Sequence, residues 1–592
     1  MKKILQLVLM LMSLIHATSA SNYTSKVIAY GATHLWQMAN GNDGIGSLNY
    51  TNNGGSFTTA PTVSPQGSYY YPTQTGTATG LSGTYIPELS GTGNFTITFW
   101  GKINNLTATN QYFLVALHSL TQYFYVAYKY SSPTQFFYVA ETGSGNGSCY
   151  AGINIDTLWH FYSVVYDGSQ TAANIVKIYV DGTLYSATVS SAWGATLPAN
   201  EVSSYIGGIN GYGLQVMGAV DEMTVYPASL SADALINIYL SSANALGVLL
   251  IGQSNGVGNA YLTSQTADTN VWFMTINGVL QHVNSLSVYG ATLGKYLKNY
   301  YNRPILLING AVGGKGIVYV GDQYYWNYRN PNNHADSSNL YGKTIYQKNK
   351  WADTIAAISL VAFESEISNT LSHDSIVHAV KNVINWYKED GISAPVYVNV
   401  PGRQTYTWIS SAQANLVRST VIECADSGWY NIASNSIAFK LIDSIVHFDS
   451  VSANKMGTWF GEAISLRRSN QFPKISWVKG SSTIKIKPAI GYTFLSTNYA
   501  NGFYAYNGSN WIVLPSATKT TDTTLTITSG YTDLRYQYGR DPDTLGTIRD
   551  TASSYYPALP YIKTSAASSA INGSVYGSFI LGYLNTFRRA FR

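Results

Sequence analysis

Residues 246–258 read LGVLLIGQSNGVG. The first seven residues form a continuous apolar run, which is typical of a strand that is buried on both faces of a parallel sheet. The glycine-rich stretch that follows predicts a tight strand-to-helix turn that carries Ser254. Gly252, Gly256 and Gly258 permit the close backbone approach that such a turn requires. The segment therefore predicts a layered α/β domain.

Downstream of this segment, apolar strands alternate with amphipathic helices. The predicted strands are PILLING, TIAAISLVAF and APVYVNV, and the predicted helices lie around 291–301 and 377–388, with a last helix that begins near Ser452. Strands that alternate with helices in this way favour a parallel sheet. We predict one α/β domain over residues 245–470.

Upstream, residues 22–243 have the pattern of a β-sandwich. NFTITFWGKI alternates apolar and polar residues, with Phe95, Ile97 and Phe99 on one face. WHFYSVVYDGS and IVKIYVDGTLYSA are two further predicted strands, and each ends at an Asp-Gly turn. These dipeptides, which favour hairpins, are Asp167-Gly168 and Asp181-Gly182.

The C-terminal part returns to short alternating strands such as STIKIKP and TTLTIT. We predict a small all-β domain over 471–563, followed by a tail over 564–592. The tail has an apolar patch and three arginines, so docking on this protein, on a neighbour or on a membrane surface stays open. Its apolar patch is too short to span a bilayer.

Composition limits the classes of partner. Charged residues make up 11% of the chain, the formal net charge is +5, and Lys and Arg are scattered. This gives no electrostatic support for nucleic-acid binding. The chain holds 49 tyrosines, and weakly charged, tyrosine-rich surfaces suit sugars, although structural and virion proteins share the bias.

The N-terminus has the features of a secretory signal peptide. Lys2 and Lys3 precede an apolar run over residues 4–15, and Thr18 and Ala20 are small residues suited to cleavage. We expect residues 1–20 to be removed, which predicts a secreted or cell-surface protein with no membrane span. A retained N-terminal helix is the alternative.

The two cysteines, Cys149 and Cys424, fall in different predicted domains, so we expect two buried free thiols. No His-x-x-x-His pair with a neighbouring carboxylate occurs among the nine histidines. We therefore expect neither a metal nor another cofactor.

Ser254 is the candidate nucleophile, but a lone serine in a glycine-rich turn is usually structural. A serine hydroxyl is a poor nucleophile at neutral pH, and it needs a base and amide donors that hold the oxyanion. The catalytic hypothesis therefore depends on further segments of the chain.

Those segments resemble the SGNH hydrolases, and more narrowly the sialate O-acetylesterase and acetylxylan esterase group. LLIGQSNGVG resembles the nucleophile block, PILLINGAVGGKGI the second block and IVHFDSVSANKMGTWFGEAI the histidine block. SNLYGKTI, SLVAFESE, NLVRSTV, DLRYQYGRDP and YYPALPY resemble further segments in the same order. The resemblance covers 245–563 and implies a flavodoxin-like parallel sheet and cofactor-free ester hydrolysis.

The resemblance also assigns roles. Ser254 is the nucleophile, and its own N–H is one oxyanion donor. Gly314, with its neighbour Gly313, supplies a second donor, although an ordinary strand-end turn is the alternative. His447 matches the base, with a surface or packing histidine as the alternative. The residues beside the nucleophile, Gln253 and Asn255, have supporting roles.

Two departures from the family pattern matter. The family places its Asp three residues before the His, where this chain has Ser444; Asp443 lies four before. We favour Asp443 as the residue that orients the imidazole, and leave open Glu364 or a Ser–His dyad.

The second departure concerns the third block, where the family pattern is close to W-Y-Q-G-E-S. Glu364 and Ser365 match, but Ala362 replaces the side-chain oxyanion donor and Phe363 replaces the glycine. Loss of one donor costs on the order of a hundred- to a thousandfold in rate. A slow enzyme, a substitute donor such as Asn255 or Ser365, and an inactive site all stay open.

The N-terminal region resembles a laminin-G-like, concanavalin-type jelly roll. The matching segments are FTITFWGKI, the pair WHFYSVVYDGS and VKIYVDG, and YIGGINGYG followed by GAVDEMTVYPASLSADAL. The resemblance implies a binding or spacer role toward carbohydrate or protein, and no ligand residues carry over.

Three functional hypotheses follow. The first is a carbohydrate O-acetylesterase, a carboxylic ester hydrolase whose partner is an acetylated polysaccharide or sialic-acid-like glycan. The second is a catalytically impaired glycan-binding adhesin or phage tail protein on an esterase scaffold. The third is a structural component of a virion surface. An oligomer is compatible with the sequence.

Overall fold

The protein is described here by a computed structural model. The described residues are 23–58, 68–70, 80–91, 93–107, 110–119, 121–131, 134–142, 147–153, 155–199, 202–209, 214–215, 218–257, 268–275, 277–283, 288–318, 326–363, 366–367, 371–402, 404, 410–439, 441, 447–466, 474–487, 494–495, 499–500, 503–507, 509–514, 517–521, 524–536, 549–550 and 561–563. The predicted signal peptide and the tail lie outside them.

The N-terminal part is a jelly-roll-like β-sandwich of two eight-stranded sheets. The first sheet has the order β13-β12-β11-β6-β18-β4-β3, with β1 paired to β18, and the second has the order β14-β10-β9-β8-β7-β15-β5-β2. The strands are β1 His34–Trp36, β2 Thr51–Asn52, β3 Ser56–Thr58, β4 Ser68–Tyr70, β5 Leu81–Gly83, β6 Asn94–Ile103, β7 Asn110–Leu117, β8 Tyr123–Ser131, β9 Thr134–Glu141, β10 Ser148–Gly152, β11 Trp159–Asp167, β12 Val176–Val180, β13 Thr183–Tyr185, β14 Thr188–Ser191, β15 Ser203–Ile206, β16 Gly208–Ile209, β17 Leu214–Gln215 and β18 Gly218–Tyr226.

Short helical segments also occur in this region, for which the sequence predicts a β-sandwich. Residues 23–29 are helical, a short 3-10 helix covers Pro87–Leu89, and helix α1 spans Ala232–Ser242 after the last sandwich strand. Ser231 caps α1, because its side chain accepts a hydrogen bond from the N–H of Ala234. The 23–29 helix carries no signal that the sequence analysis used.

The sandwich core forms where the predicted alternation places it. Phe95, Ile97 and Phe99 of β6 are fully buried between the two sheets. Thr96 and Thr98, on the opposite face of β6, are also buried. Thr96 is covered from outside, since its hydroxyl donates to the carbonyl of Ala228 at 2.7 Å. The packing of the rest of the chain therefore removes this face of β6 from water as well.

The two Asp-Gly dipeptides behave differently. Asp181 (φ +50°) and Gly182 (φ +76°) form the tight turn between β12 and β13, as predicted. β11 and β12 also pair antiparallel, but residues 168–175 separate them, so Asp167-Gly168 begins a longer loop. Gly168 is held elsewhere, because its N–H donates to the carbonyl of Gly93 at 2.5 Å.

A seven-stranded sheet follows, with the order β21-β20-β22-β19-β23-β24-β25. All neighbouring strands pair in parallel except the edge strand β21, which is antiparallel to β20. The strands are β19 Leu246–Gly252, β20 Asp268–Met274, β21 Leu280–Val283, β22 Ile305–Asn309, β23 Ile355–Val361, β24 Val396–Val400 and β25 Asn431–Asn435. The helices are α2 Ser254–Val257, α3 Val288–Tyr301, α4 Leu340–Trp351, α5 His373–Glu389, α6 Ser411–Asp426 and α7 Ser450–Ser465, with a 3-10 helix at Ser436–Ala438.

Helices cover this sheet in two groups. α4 and α5 pack together, and the rings of Tyr341 and Tyr387 lie 4.8 Å apart. α3 and α7 form the other pair, with a close approach at two glycines of α7. A Cβ at Gly457 would lie 2.6 Å from the carbonyl oxygen of Tyr289, and one at Gly461 would lie 2.6 Å from the ring of Tyr296.

The sandwich and the parallel sheet share one hydrophobic cluster. Trp100 and Phe161, on the outer face of the first sheet, make tilted ring contacts with Tyr239 of α1, whose ring lies 6.5 Å from that of Trp272 in β20. The hydroxyl of Thr183 is also 2.7 Å from Nε2 of His282. The transition near residue 244 is therefore a packed junction.

The described C-terminal residues form short strands around a small cluster that includes Ile484, Phe503, Leu525 and Leu534. The strands are β26 Lys474–Trp477, β27 Thr483–Lys487, β28 Phe494–Leu495, β29 Tyr499–Ala500, β30 Phe503–Tyr506, β31 Trp511–Val513, β32 Ala517–Thr521, β33 Thr524–Thr526, β34 Asp533–Tyr536, β35 Arg549–Asp550 and β36 Tyr561–Lys563.

Two further expectations concern the whole chain. Cys149 and Cys424 are buried free thiols, as predicted. Within the described ranges, no helix has the length and apolar character that crossing a bilayer requires.

Candidate active site

The carboxyl ends of β19, β22, β23, β24 and β25 meet at one edge of the parallel sheet. β19 lies between β22 and β23, so the chain leaves β19 toward one side and later continues the sheet on the other. In open α/β sheets, ligands bind in the crevice at such a switch point. Ser254 follows directly after β19 and therefore stands at this crevice.

The backbone around Ser254 forms the predicted strand-to-helix turn. β19 ends at Gly252, and α2 begins at Ser254. Gly252 has φ +128°, and a Cβ there would lie 1.9 Å from the carbonyl oxygen of Val361, so only glycine fits. The N–H of Gln253 donates to that same carbonyl at 2.9 Å. The turn that carries Ser254 is thus seated directly against the end of β23.

The glycine pair forms a turn beyond β22. The N–H of Lys315 donates to the carbonyl of Val312 at 3.2 Å, which closes a four-residue turn around Gly313 and Gly314. Gly314 has φ +71°, which a type II turn requires at its third position. The N–H of Val312 donates to the carbonyl of Gly252 at 3.1 Å. These glycines therefore form a strand-end turn, which is the alternative to an oxyanion role, and the turn lies beside the Ser254 segment.

Trp326 holds the same two segments together. Its indole N–H donates to the carbonyl of Gly252 at 3.0 Å, and its backbone N–H donates to the carbonyl of Gly316 at 3.2 Å. The ring is fully buried. The sequence analysis did not single out Trp326, and nothing in its spacing pointed to this contact.

The segment that carries His447 reaches the turn that carries Ser254. The N–H of Phe448 donates to Oδ1 of Asn255 at 3.3 Å in a buried position. His447 and Ser254 are the sequence neighbours of these two residues, and consecutive Cα atoms are only about 3.8 Å apart. Two segments separated by 193 residues along the chain therefore meet where the resemblance assigns the nucleophile and the base.

The loop before His447 is closed by an antiparallel bridge between Leu441 and Phe448. Residues 442–446 within this loop, which include Asp443 and Ser444, lie outside the described residues. The position of the favoured orienting carboxylate is therefore still a prediction.

Arg418 holds the backbone turn against which this segment packs. Its guanidinium is fully buried, and Nε donates to the carbonyl of Pro401 at 3.0 Å while Nη2 donates to that of Gly402. A Cβ at Gly402 would lie 3.2 Å from the ring of Phe448. Arg418 thus fixes the turn after β24 on which Phe448 packs.

Ala362 and Phe363, the two residues of the third block that differ from the pattern of the resembled family, are both described by the structure. Ala362 and Phe363 are fully buried, and Phe363 has φ +79°, in the left-handed region that favours glycine. Phe363 is therefore a bulky residue in a backbone conformation that glycine adopts without strain. Glu364 and Ser365 lie outside the described residues.

Glu366 is a site residue that the sequence analysis missed. It is 1% exposed, and its Oε1 accepts hydrogen bonds from the N–H groups of Ile317 and Val318, the latter at 3.2 Å. Burial raises the pKa of Glu366, against backbone hydrogen bonds that lower it. The FESE segment contains two glutamates, and the sequence pattern alone directed attention to Glu364.

The comparisons with known proteins bear first on the sandwich. Residues 74–235 match the family described as the concanavalin A-like lectin/glucanases superfamily. This confirms the expected concanavalin-type domain over that stretch. No curated protein matches the chain.

Three solved structures are similar at low identity. A carbohydrate acetylesterase from Xanthomonas citri aligns over 81% of this chain and 100% of its own, with 10% identity and a TM-score of 0.43. A protein from Arabidopsis thaliana aligns over 37% of this chain and 97% of its own, with 13% identity and a TM-score of 0.30. Domain 4 of an extracellular arabinanase from Geobacillus stearothermophilus, in complex with arabinotriose, aligns over 35% of this chain and 98% of its own, with 13% identity and a TM-score of 0.28.

In the described part of the chain, no group of three or more His, Cys, Asp or Glu side chains is arranged to hold a metal ion. The candidate site instead presents a serine at a helix start, a glycine turn and the backbone beside a histidine. These are groups suited to acyl transfer to a hydroxyl.

Proposed function

We propose that this protein is a serine ester hydrolase of the SGNH type that removes acetyl groups from a glycan. The observation that carries the proposal is the hydrogen bond from the Phe448 N–H to Asn255 Oδ1, at 3.3 Å. It joins the segment of the proposed base to that of the proposed nucleophile at the switch point of a parallel sheet.

The proposed reaction has two halves. His447 takes the proton of the Ser254 hydroxyl as Oγ attacks the acetyl carbonyl carbon, and the C–O bond to the sugar then breaks. The sugar oxygen leaves with the proton from His447, and an acetyl-Ser254 ester remains. Water, deprotonated by His447, then attacks that ester, which releases acetate and restores Ser254. In this proposal Asp443 orients His447, with Glu364 or a dyad as alternatives.

The oxyanion would be held by the N–H groups of Ser254 and Gly314. Ala362 has no side-chain donor, so two donors replace the family's three unless Asn255 or Ser365 substitutes. Because one donor contributes about a hundred- to a thousandfold in rate, we expect slow turnover.

The glycan part of the proposal is supported by the concanavalin-like match over residues 74–235. In this proposal the sandwich domain spans 22–243, the hydrolase domain 245–470 and the C-terminal β-domain 471–563. The outer face of the second sheet carries a tyrosine cluster, formed by Tyr112, Tyr123, Tyr125, Tyr138 and Tyr205. Tyrosine hydroxyls and rings suit neutral contacts with sugars.

The test compares hydrolysis of p-nitrophenyl acetate and of an acetylated glycan by the wild type and by Ser254→Ala. We expect Ser254→Ala to lose activity, while Ser427→Ala, which changes an exposed serine after α6, keeps it. A fluorophosphonate probe should label Ser254 in the wild type, as read by peptide mass spectrometry. Equal rates in the wild type and Ser254→Ala would refute the proposal.

A second candidate function is glycan binding without turnover, as in a surface adhesin or a phage tail protein. Ala362 and Phe363 favour it, because both depart from the pattern of the active family. Glycan-array binding that persists in Ser254→Ala, together with no acetate release by the wild type, would support it. Detectable acetate release by the wild type would exclude it.

A further inference from the structure

We infer that Glu366 is a positioning residue of this site, which anchors the glycine turn beside the nucleophile through hydrogen bonds from two backbone N–H groups. The inference rests on the proposed ester hydrolysis for its catalytic consequence. The anchoring itself can be tested without activity.

The first step concerns what the carboxylate holds. Oε1 of Glu366 accepts hydrogen bonds from the N–H groups of Ile317 and Val318. These residues end the loop that carries Gly313 and Gly314. A backbone loop that leaves a sheet usually contacts water, but Ile317 and Val318 are buried, so their N–H groups need an internal acceptor. A carboxylate supplies one because it accepts and does not donate.

The second step concerns the geometry of the loop. At its start, the N–H of Val312 is bound to the carbonyl of Gly252, directly before the nucleophile. At its end, Ile317 and Val318 are bound to Glu366, which follows β23. The glycine turn therefore lies between two anchors, one at the end of β19 and the other after its neighbour β23. Removal of the second anchor leaves the two N–H groups without their acceptor, while the carbonyls of Gly316 and Ile317 keep their bonds from the backbone at residues 326–327.

The third step concerns Phe363. Glu366 lies in the turn that starts at Phe363, because the N–H of Ile367 donates to the carbonyl of Phe363 at 3.1 Å. Phe363 holds a left-handed backbone conformation, which persists only where surrounding contacts determine it. The carboxylate thus ties the strained end of β23 to the glycine loop across the end of β19.

The fourth step separates Glu366 from a catalytic role. Its Oε2 is buried and accepts no hydrogen bond from the described residues, and its Oε1 is used by the backbone. The carboxylate therefore acts on the site through the loop that carries Ile317 and Val318. An amide at this position keeps one acceptor oxygen of the same reach, whereas a thioether of the same length keeps none.

The experiment measures hydrolysis of p-nitrophenyl acetate by the wild type, Glu366→Gln, Glu366→Met and the control Glu423→Met, which removes an exposed carboxylate of α6. We expect Glu366→Met to lower kcat by about ten- to a hundredfold with KM changed less than about twofold, because the oxyanion donors act in the transition state. Glu366→Gln should stay within about fivefold of the wild type, and Glu423→Met should match it.

Hydrogen exchange provides the readout that does not require activity. The amides of Ile317 and Val318 should lose protection in Glu366→Met and keep it in Glu366→Gln, as measured by mass spectrometry of peptides over 311–318. Unchanged exchange in Glu366→Met would overturn the anchoring. Wild-type kcat in Glu366→Met would overturn the catalytic consequence. If the wild type neither hydrolyses esters nor labels at Ser254, the proposed function fails, and the exchange result still decides the anchor.

Discussion

Among single residues, Phe363 combines two costs that a folded chain normally avoids. Its backbone has φ +79°, where a non-glycine residue is strained by about 1–2 kcal/mol, and its ring is fully buried. The ring supplies the compensation, because a buried Phe loses about 3–5 kcal/mol on truncation to Ala. The buried ring outweighs the strain, which explains how this backbone conformation tolerates a phenylalanine.

This balance predicts that glycine is a more stable replacement than alanine at position 363, which is the reverse of the usual order of these two residues. Phe363→Ala and Phe363→Gly both lose the ring, but only Gly relieves the backbone, so Phe363→Gly should be more stable than Phe363→Ala by about 1 kcal/mol. The free energy of unfolding in urea measures both. At the neighbouring Ala362, which has no left-handed backbone, Ala362→Gly should instead destabilise by about 0.5–1 kcal/mol. If Phe363→Gly is the less stable of the pair, the strain is absent.

His34 forms a half-buried charge cluster with two carboxylates in the sandwich. Its Nδ1 is 2.6 Å from Asp43 and its Nε2 is 3.3 Å from Glu88. Burial lowers the pKa of His34, but the hydrogen bonds to Asp43 and Glu88 outweigh it and raise the pKa to about 9. Burial raises the pKa of Asp43, and the bonds from His34 and the backbone lower it to about 2.

The cluster predicts a pH dependence of sandwich stability. Because the folded pKa of His34 is raised, its contribution is full below the unfolded value of about 6.5 and is lost as pH rises toward about 9. Because the pKa of Asp43 is lowered, its contribution is full above about 4 and is lost as pH falls toward about 2. The stability difference between the wild type and His34→Gln should therefore shrink between pH 6.5 and 9 in urea titrations.

The exposed His378 provides the matched control for this series. His378→Gln should leave the pH profile of unfolding unchanged. A difference between the wild type and His34→Gln that stays constant from pH 6 to pH 9 would contradict the assignment of the charge cluster.

Among the elements, α7 positions Phe448 at the candidate site, because the helix begins two residues after it. Its N-cap is Asp449, whose carboxylate accepts the N–H of Ser452 at 2.8 Å. The helix is positioned against α3 at Gly457 and Gly461, where α3 occupies the space that a side chain would need. A displaced α7 would carry Phe448 and its bond to Asn255 with it.

We therefore expect Gly461→Ala to destabilise the protein by about 1–3 kcal/mol, since the new Cβ would meet the Tyr296 ring at 2.6 Å. Helix propensity alone predicts the opposite sign, with Ala favoured by about 1 kcal/mol, and the steric conflict exceeds it. Urea unfolding measures the stability, and p-nitrophenyl acetate hydrolysis should fall in the same variant. Gly152→Ala, where a Cβ meets nothing within 4 Å, is the control. A more stable Gly461→Ala would contradict the packing argument.

At the scale of the whole molecule, the sandwich and the parallel sheet are joined by aromatic packing. Trp272 of β20 is buried, and a Cβ at Gly182 would lie 3.0 Å from its ring, so the β12–β13 turn rests on it. The outer face of the first sheet is covered by α1 and the parallel sheet in the same way. The two halves therefore stabilise each other through a shared apolar cluster.

This predicts that Trp272→Ala destabilises both the sandwich and the parallel sheet. We expect a loss of about 3–5 kcal/mol in unfolding free energy, with faster hydrogen exchange both in β20–β21 and in residues 181–185 of the sandwich. Trp36→Ala, in the interior of the sandwich, should speed exchange there and spare β20–β21. Faster exchange confined to residues 268–283 in Trp272→Ala would show that the two halves are independent.

Several elements follow from sequence alone because their causes are local. The apolar run 246–252 becomes the buried strand β19, the alternation in 95–99 becomes one core face of β6, and Asp181-Gly182 becomes a hairpin turn. Each depends on periodicity or on backbone preferences within a few residues. Ser254 at the start of a helix after β19 follows for the same reason.

Other features were decided only by the tertiary structure. The burial of Thr96 depends on the residues that cover the sheet. Asp167-Gly168 begins a long loop in which Gly168 is bound to Gly93. Glu366 accepts hydrogen bonds from N–H groups some fifty residues away. The contact between Asn255 and Phe448 likewise joins distant segments. Sequence patterns reflect the preferences of residues that are neighbours along the chain. These contacts depend instead on which polar groups, distant in the sequence, are brought together and removed from water when the chain folds.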